Sequence, residues 1–154
     1  MADVADRVLV FAPVGRDGPL TAEFLTRESI AVLLCPTLAD LRNALAEGAG
    51  ALFMTEEALE DPAFHDLVHT LDQQAAWSDI PIVLFAGTER TGASFETLSV
   101  VDTLRNVTLM ERPARRPAVV SVVHAALRAR RRQYETRDVL MALHAARSDA
   151  EAAN

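Results

Sequence analysis

Asp61, His65 and His69 have side chains that can bind metal, and they recur at four-residue spacing. Two histidines one helical turn apart can share an ion. The outer two of the three, however, lie roughly 12 Å apart along a helix axis at about 1.5 Å per residue, so all three cannot converge on one metal. They read as the solvated face of an amphipathic helix, and no metal or cofactor is expected. Gly15-Arg16-Asp17-Gly18 and Gly48-Ala49-Gly50 are too short for a phosphate-loop or dinucleotide fingerprint. The first reads as a turn and the second as a helix C-terminus entering a strand. Arg16 could still meet an anion at the C-terminal edge of a sheet, where ligands of open α/β folds bind. None of the six serines stands in a Gly-x-Ser-x-Gly elbow, which leaves a hydrolase without support. Cys35, beside Pro36, reads as a small buried residue.

The bulk properties narrow the class. The 154 residues suffice for one domain with a hydrophobic core. The N-terminal MADVADRVLV has no basic region ahead of its apolar run and does not read as a signal peptide. A single cysteine excludes an internal disulfide and fits a reducing compartment, so a cytoplasmic location is expected. No apolar run approaches membrane-spanning length. Net charge is −7, which disfavours nucleic acid and anionic membrane as partners. All 15 basic residues are arginine, and Arg128, Arg130, Arg131 and Arg132 cluster late in the chain. That cluster could form a local basic patch, but no recognition helix follows it.

Short apolar runs alternate with helical patterns. Residues 7–11 (RVLVF), 30–34 (IAVLL), 51–54, 80–85 (IPIVLF) and 107–110 have the β-forming, glycine- or proline-bounded character of buried strands. Between them, 20–28 keeps helical spacing, with Thr21 or Asp17 as candidate cap. A helix begins at Thr37, aligns Leu38, Leu41 and Leu45, and ends at Gly48. Phe64, Leu67, Val68, Leu71 and Ala75 form an apolar stripe behind Asp61-Pro62. Trp77 is expected to close that helix over the sheet. GTERTG (87–92) reads as a loop, and 94–104 as a weaker helix. From Arg116 the residues are good helix formers almost to the end. Alternating strands and helices with short connections require a parallel sheet covered on both faces. The expected fold is α/β, a flavodoxin-like (βα)5 doubly wound sheet of order 2-1-3-4-5 with an extended C-terminal helix. One domain is expected over 1–132 and a helical, coiled-coil extension over 133–154, its end from Ser148 disordered.

Three local motifs carry a resemblance. GAGALFMTEEAL, IPIVLFAG and MERPAR resemble the third strand and phosphoacceptor turn, the fourth strand, and the fifth strand with its Lys-Pro turn in receiver domains of two-component systems. The resemblance covers about residues 7–131 and rests on the order and spacing of degenerate motifs. It implies a place in signal transduction, of a kind found at the N-terminus of bacterial sensor histidine kinases.

The same resemblance shows which chemistry is missing. The acidic pair that holds Mg²⁺ in the family falls on Ala12 and Pro13, which offer no side-chain oxygen to an ion that needs several. The phosphoacceptor aspartate aligns with Thr55, a neutral hydroxyl with no evident base beside it. The hydroxyl residue ending the fourth strand is Ala86, and the lysine is Arg112, whose planar fork does not substitute freely for an ammonium. Pro113 remains, so the turn, with the cis bond the family often has, is expected to survive. Phosphoryl transfer depends almost entirely on positioning and charge neutralisation, so no catalytic residue is expected. A one-residue shift would bring Glu56 to the acceptor position, where a carboxylate could imitate a charged state. The simpler reading of Glu56 and Glu57 is two surface carboxylates at the start of a loop.

The last helix suggests a different role. Val120, Val123, Leu127, Tyr134 and Met141 approximate a heptad seam, interrupted at Arg130 and Arg137. A protruding helix cannot bury such a seam alone, and pairing with a second copy is the simplest solution. Arg131 and Glu135 supply an i,i+4 pair. The expectation is a non-enzymatic pseudo-receiver that forms a homodimer and sets helix register for a downstream kinase or sensory module. The alternatives are a free-standing receiver-mimic adaptor that binds a partner protein, and a small-ligand sensor around Arg16, Thr55 and Thr88.

Overall fold

Aliphatic strand residues alternate between two covered faces, and this alternation builds the sheet. In the computed structural model, which describes residues 3–87, 99 and 102–153, five strands lie in the order β2-β1-β3-β4-β5. They are β1 (Val8–Phe11), β2 (Val32–Leu34), β3 (Ala51–Thr55), β4 (Ile82–Ala86) and β5 (Val107–Glu111). All pairings are parallel, with Leu9 opposite Leu52, Phe53 opposite Val83, and Phe85 opposite Met110. The expected doubly wound fold of order 2-1-3-4-5 is thus the observed one.

Leu9, Phe11, Leu52, Met54, Ile82 and Leu84 point to one face. There they meet Leu38, Leu41 and Ala44 of α2 (Leu38–Glu47) and Phe64, Leu67 and Leu71 of α3 (Phe64–Asp72). Val8, Val10, Ala51, Phe53 and Val83 point the other way. They meet Leu25 of α1 (Asp17–Arg27) and Val119 and Val123 of the C-terminal helix (Arg116–Ala153). Each fully buried side chain of this kind contributes roughly 1.5–3 kcal/mol. Two-sided burial explains why the strands read as unbroken apolar runs.

Local signals placed most boundaries. Thr37 caps α2, its Oγ1 accepting from the Asp40 N–H at 3.1 Å. Gly48 ends that helix at φ +117°, a conformation open to glycine. Elsewhere the elements differ from those expected or add to them. α1 starts at Asp17, and neither Thr21 nor Asp17 caps it: Arg16 stands at the cap without a side-chain bond, and Asp17 supplies negative charge to the first turn. α3 stops at Asp72, which leaves Ala75 outside the helix and exposed. A short 3-10 turn, Val4–Asp6, precedes β1. The C-terminal helix runs through Ala153, and residues 148–153 belong to it. The loop expected at 87–92 and the helix at 94–104 lie largely outside the described residues. Of that helix, 102–104 is a described helical turn with Leu104 buried.

Candidate functional site

The C-terminal ends of β1, β3, β4 and β5 bring together the positions singled out by the receiver resemblance. Ala12 and Pro13 follow β1 and carry no polar side-chain group there. Thr55 ends β3 and is 2% exposed. Ala86 ends β4 and is buried. Arg112 follows β5, its backbone N–H donating to the Ala86 carbonyl at 2.8 Å, and the Arg112–Pro113 peptide bond is cis as expected.

Arg112 organises this edge. Its Nη1 donates to Asp17 Oδ2 at 3.2 Å and its Nη2 to Glu57 Oε1 at 3.0 Å. Glu56 Oε1 lies 3.8 Å from the same Nη2 and accepts the Gly87 backbone N–H at 2.8 Å. One guanidinium therefore faces three carboxylates, drawn from the start of α1 and from a 3-10 turn, Glu56–Glu60, that follows β3. This corrects the reading of Glu56 and Glu57 as surface carboxylates, since both are half-buried and turned inward. No apolar-pattern signal could have found that contact, because the partners are 55 residues apart in sequence. A compact ammonium could not span them. The planar fork can.

Burial by itself would push the Glu57 carboxyl up. Its own backbone N–H, the Arg112 and Thr55 hydrogen-bonding groups and the Arg112 charge outweigh that and hold it below its ordinary value of 4.5. The Thr55 hydroxyl favours the charged carboxylate by proximity, but neither Thr55 Oγ1 nor Glu57 Oε2 completes a well-formed hydrogen bond among the described residues. A depressed carboxyl stabilises the fold above its unfolded-state value and loses that contribution as pH falls through the folded one. The wild type is therefore expected to exceed Glu57→Gln by about 1 kcal/mol at neutral pH, a modest figure because the pair is partly exposed. Urea denaturation should show this margin closing as pH drops below 4.5. A margin independent of pH would sink the assignment.

The other candidates separate. His65 and His69 are exposed on α3, Asp61 instead caps the Ala63 N–H at 2.9 Å, and no metal-ligating cluster exists among the described residues. Arg16 is exposed at the start of α1. Thr88 lies outside the described residues. Cys35 is buried, its thiol pushed up to about 11 chiefly by desolvation, which leaves it protonated and unreactive.

The proposed helical seam divides in two. Val123 is in the core, Leu127 packs against it, and Tyr134 accepts the Ala49 N–H at 3.2 Å and donates to the Ala49 carbonyl at 3.1 Å. These three are committed to the chain's own body and are not a free surface. Val120 is half-buried and Met141 is 63% exposed. Arg130, read as an interruption of the seam, is 5% exposed and donates to Ala49 O, Ser78 Oγ, Gln133 Oε1 and Tyr134 Oη. Its guanidinium lies 5.4 Å from the Trp77 ring and 4.6 Å from the Tyr134 ring. Trp77 thus packs on the C-terminal helix and does not close α3 over the sheet. Arg131 pairs with Asp6 and not with Glu135. The arginine cluster is therefore no continuous basic patch. Body contacts extend through Arg137, whose guanidinium lies over the Trp77 ring. These side chains line a groove of about 750 Å³ with Arg42 and Gly48, a feature missed in the sequence.

No family model and no curated protein matches this chain. Solved structures do. A response regulator receiver protein from Sinorhizobium medicae WSM419 superposes with a TM-score of 0.63 at 17% identity, over 82% of this chain and 97% of that one. A sensor protein from Polaromonas sp. JS666 gives 0.61 at 18% identity, over 80% and 97%. NtrX from Brucella abortus, solved with ADP, gives 0.61 at 18% identity over 88% of this chain, which spans only 29% of that longer protein. At these identities the likeness establishes the fold: a receiver-like, flavodoxin-type sheet with a long C-terminal helix.

Proposed function

We propose that this chain is a phosphorylation-independent pseudo-receiver, a non-enzymatic signalling module that pairs through its C-terminal helix and passes that arrangement to a downstream kinase or sensory module. One observation carries the reading. At the sheet edge where phosphoryl chemistry would need an acceptor carboxylate and a cation, a buried Thr55 ends β3 and the arginine after β5 is already engaged by Asp17, Glu56 and Glu57. Ala12 and Pro13 add no oxygen ligand, so Mg²⁺ lacks the set it requires. Adding beryllofluoride and Mg²⁺ should leave the amide spectrum unchanged. Saturable shifts around Thr55 would overturn the reading.

Association rests on the last part of the helix. Residues 138–153 are all exposed and extend about 24 Å past the body at about 1.5 Å per residue. Val139, Leu140, Met141 and Leu143 are 50–63% exposed there. A helix of that length without a partner is marginal in water, and burying these side chains against a second copy offsets the deficit. Light scattering at tens of micromolar should give a dimer for the whole chain and a monomer for Leu140→Glu/Leu143→Glu. A monomeric wild type would remove the pairing and favour an adaptor that binds a different protein. No described helix is long and apolar enough to cross a membrane, and the reading places the module in the cytoplasm.

A further inference from the structure

Glu56 makes a contact that the absence of phosphoryl chemistry does not require. Its side chain leaves the 3-10 turn after β3 and crosses to the end of β4, where Oε1 accepts the Gly87 N–H at 2.8 Å. The same oxygen is 3.8 Å from Arg112 Nη2, which is occupied by Glu57 at 3.0 Å. The backbone N–H donates to this oxygen while the guanidinium supplies positive charge 3.8 Å away, a pairing that suits an oxyanion, and the C-terminal edge of an open α/β sheet is where such ligands bind. Gly87 is shaped to this occupant. A Cβ on it would lie 2.8 Å from Glu56 Oε1, so any side chain there would push the carboxylate away.

We propose that Glu56, backed by Glu57, is the built-in ligand of an oxyanion site, filling with its own carboxylate a place that would otherwise take a phosphate-sized anion. This deepens the phosphorylation-independent reading and rests on it. A tethered carboxylate competes at an effective concentration on the order of millimolar or higher. It also repels a second anion from the same donors. The site is thereby held in its anion-filled arrangement, and β3, β4 and β5 stay linked through Glu56, Gly87 and Arg112 without any external signal at this edge.

The test is a titration with inorganic phosphate, followed by the Gly87 amide and Arg112 side-chain resonances. Glu56→Ala/Glu57→Ala should bind phosphate saturably, at least about tenfold more tightly than the wild type. If the alanine variant fails to fold, Glu56→Ser/Glu57→Gln shortens the occupying side chain, removes both charges and should show the same gain. A folded double variant that binds no better, beside an inert wild type, overturns the built-in ligand and leaves the phosphorylation-independent reading standing. Equal saturable binding by wild type and variant overturns both.

Discussion

Arg130→Met should destabilise the domain by about 2–4 kcal/mol, a larger effect than any surface arginine would give. The guanidinium is buried, and it donates to the Ala49 carbonyl at 2.9 Å and to Ser78 and Gln133 side-chain oxygens at 2.7 Å. It also lies over Trp77 and Tyr134. Methionine fills similar volume but leaves those acceptors without their donor. Desolvation lowers the arginine's own pKa, and it makes no ion pair among the described residues. The gain therefore comes from charge-assisted hydrogen bonds to uncharged acceptors and from aromatic faces, and loss of an ion pair is not part of the expected cost. Arg130→Lys keeps the charge without the planar fork and should recover less than half of the loss. Urea midpoints with the Trp77 fluorescence signal measure both. A change below about 0.5 kcal/mol for methionine would show that the cluster is not structural.

Gly50→Ala should cost a comparable amount, about 2–4 kcal/mol, by overpacking. A Cβ at this position would stand 2.5 Å from Leu127 Cδ2, 2.7 Å from the Ala5 carbonyl and 3.2 Å from the Arg7 carbonyl. The leucine can turn aside, but two backbone oxygens cannot yield without moving the N-terminal 3-10 turn and the start of β1. The Gly50 N–H donates to Arg7 O at 2.7 Å, so the strands are already in close contact. The variant should also loosen the C-terminal helix, seen as faster amide exchange along residues 127–137. Wild-type stability and exchange would refute the close approach.

The two effects meet at one place. Arg130 and Tyr134 both hold Ala49, and Gly50 lets Leu127 approach the same turn. The long helix is thus fixed to the N-terminal edge of the sheet, while the Arg112 contacts occupy the opposite edge. Any change in the direction in which residues 138–153 project would have to act on this joint.

The fold was legible in the sequence because its signals are local and repetitive. Strand runs such as IPIVLF, the Thr37 cap, Gly48, and the stripe of Phe64, Leu67 and Leu71 each report on a few neighbouring residues, and their alternation leaves few topologies. The placement of Ala12, Thr55, Ala86 and Arg112 was legible for the same reason, since each is tied to the end of a strand. The missed features are of another kind. Glu56 and Glu57 have the composition of a surface loop, and only the placement of β4 and β5 beside β3 brings them to Gly87 and Arg112. Arg130 looked like a fault in an apolar seam, because hydropathy scores a charge and not the aromatic faces and carbonyl that receive it. Val123, Leu127 and Tyr134 show the same limit: a helical stripe says that a face is covered, not by what. Spacing and residue type were enough for the order of elements, the two-sided sheet and the residue types at the strand ends. Which helical residues face the body, where the exposed part of the helix begins and which carboxylates Arg112 holds emerge from the folded chain, because those depend on contacts between segments far apart in sequence.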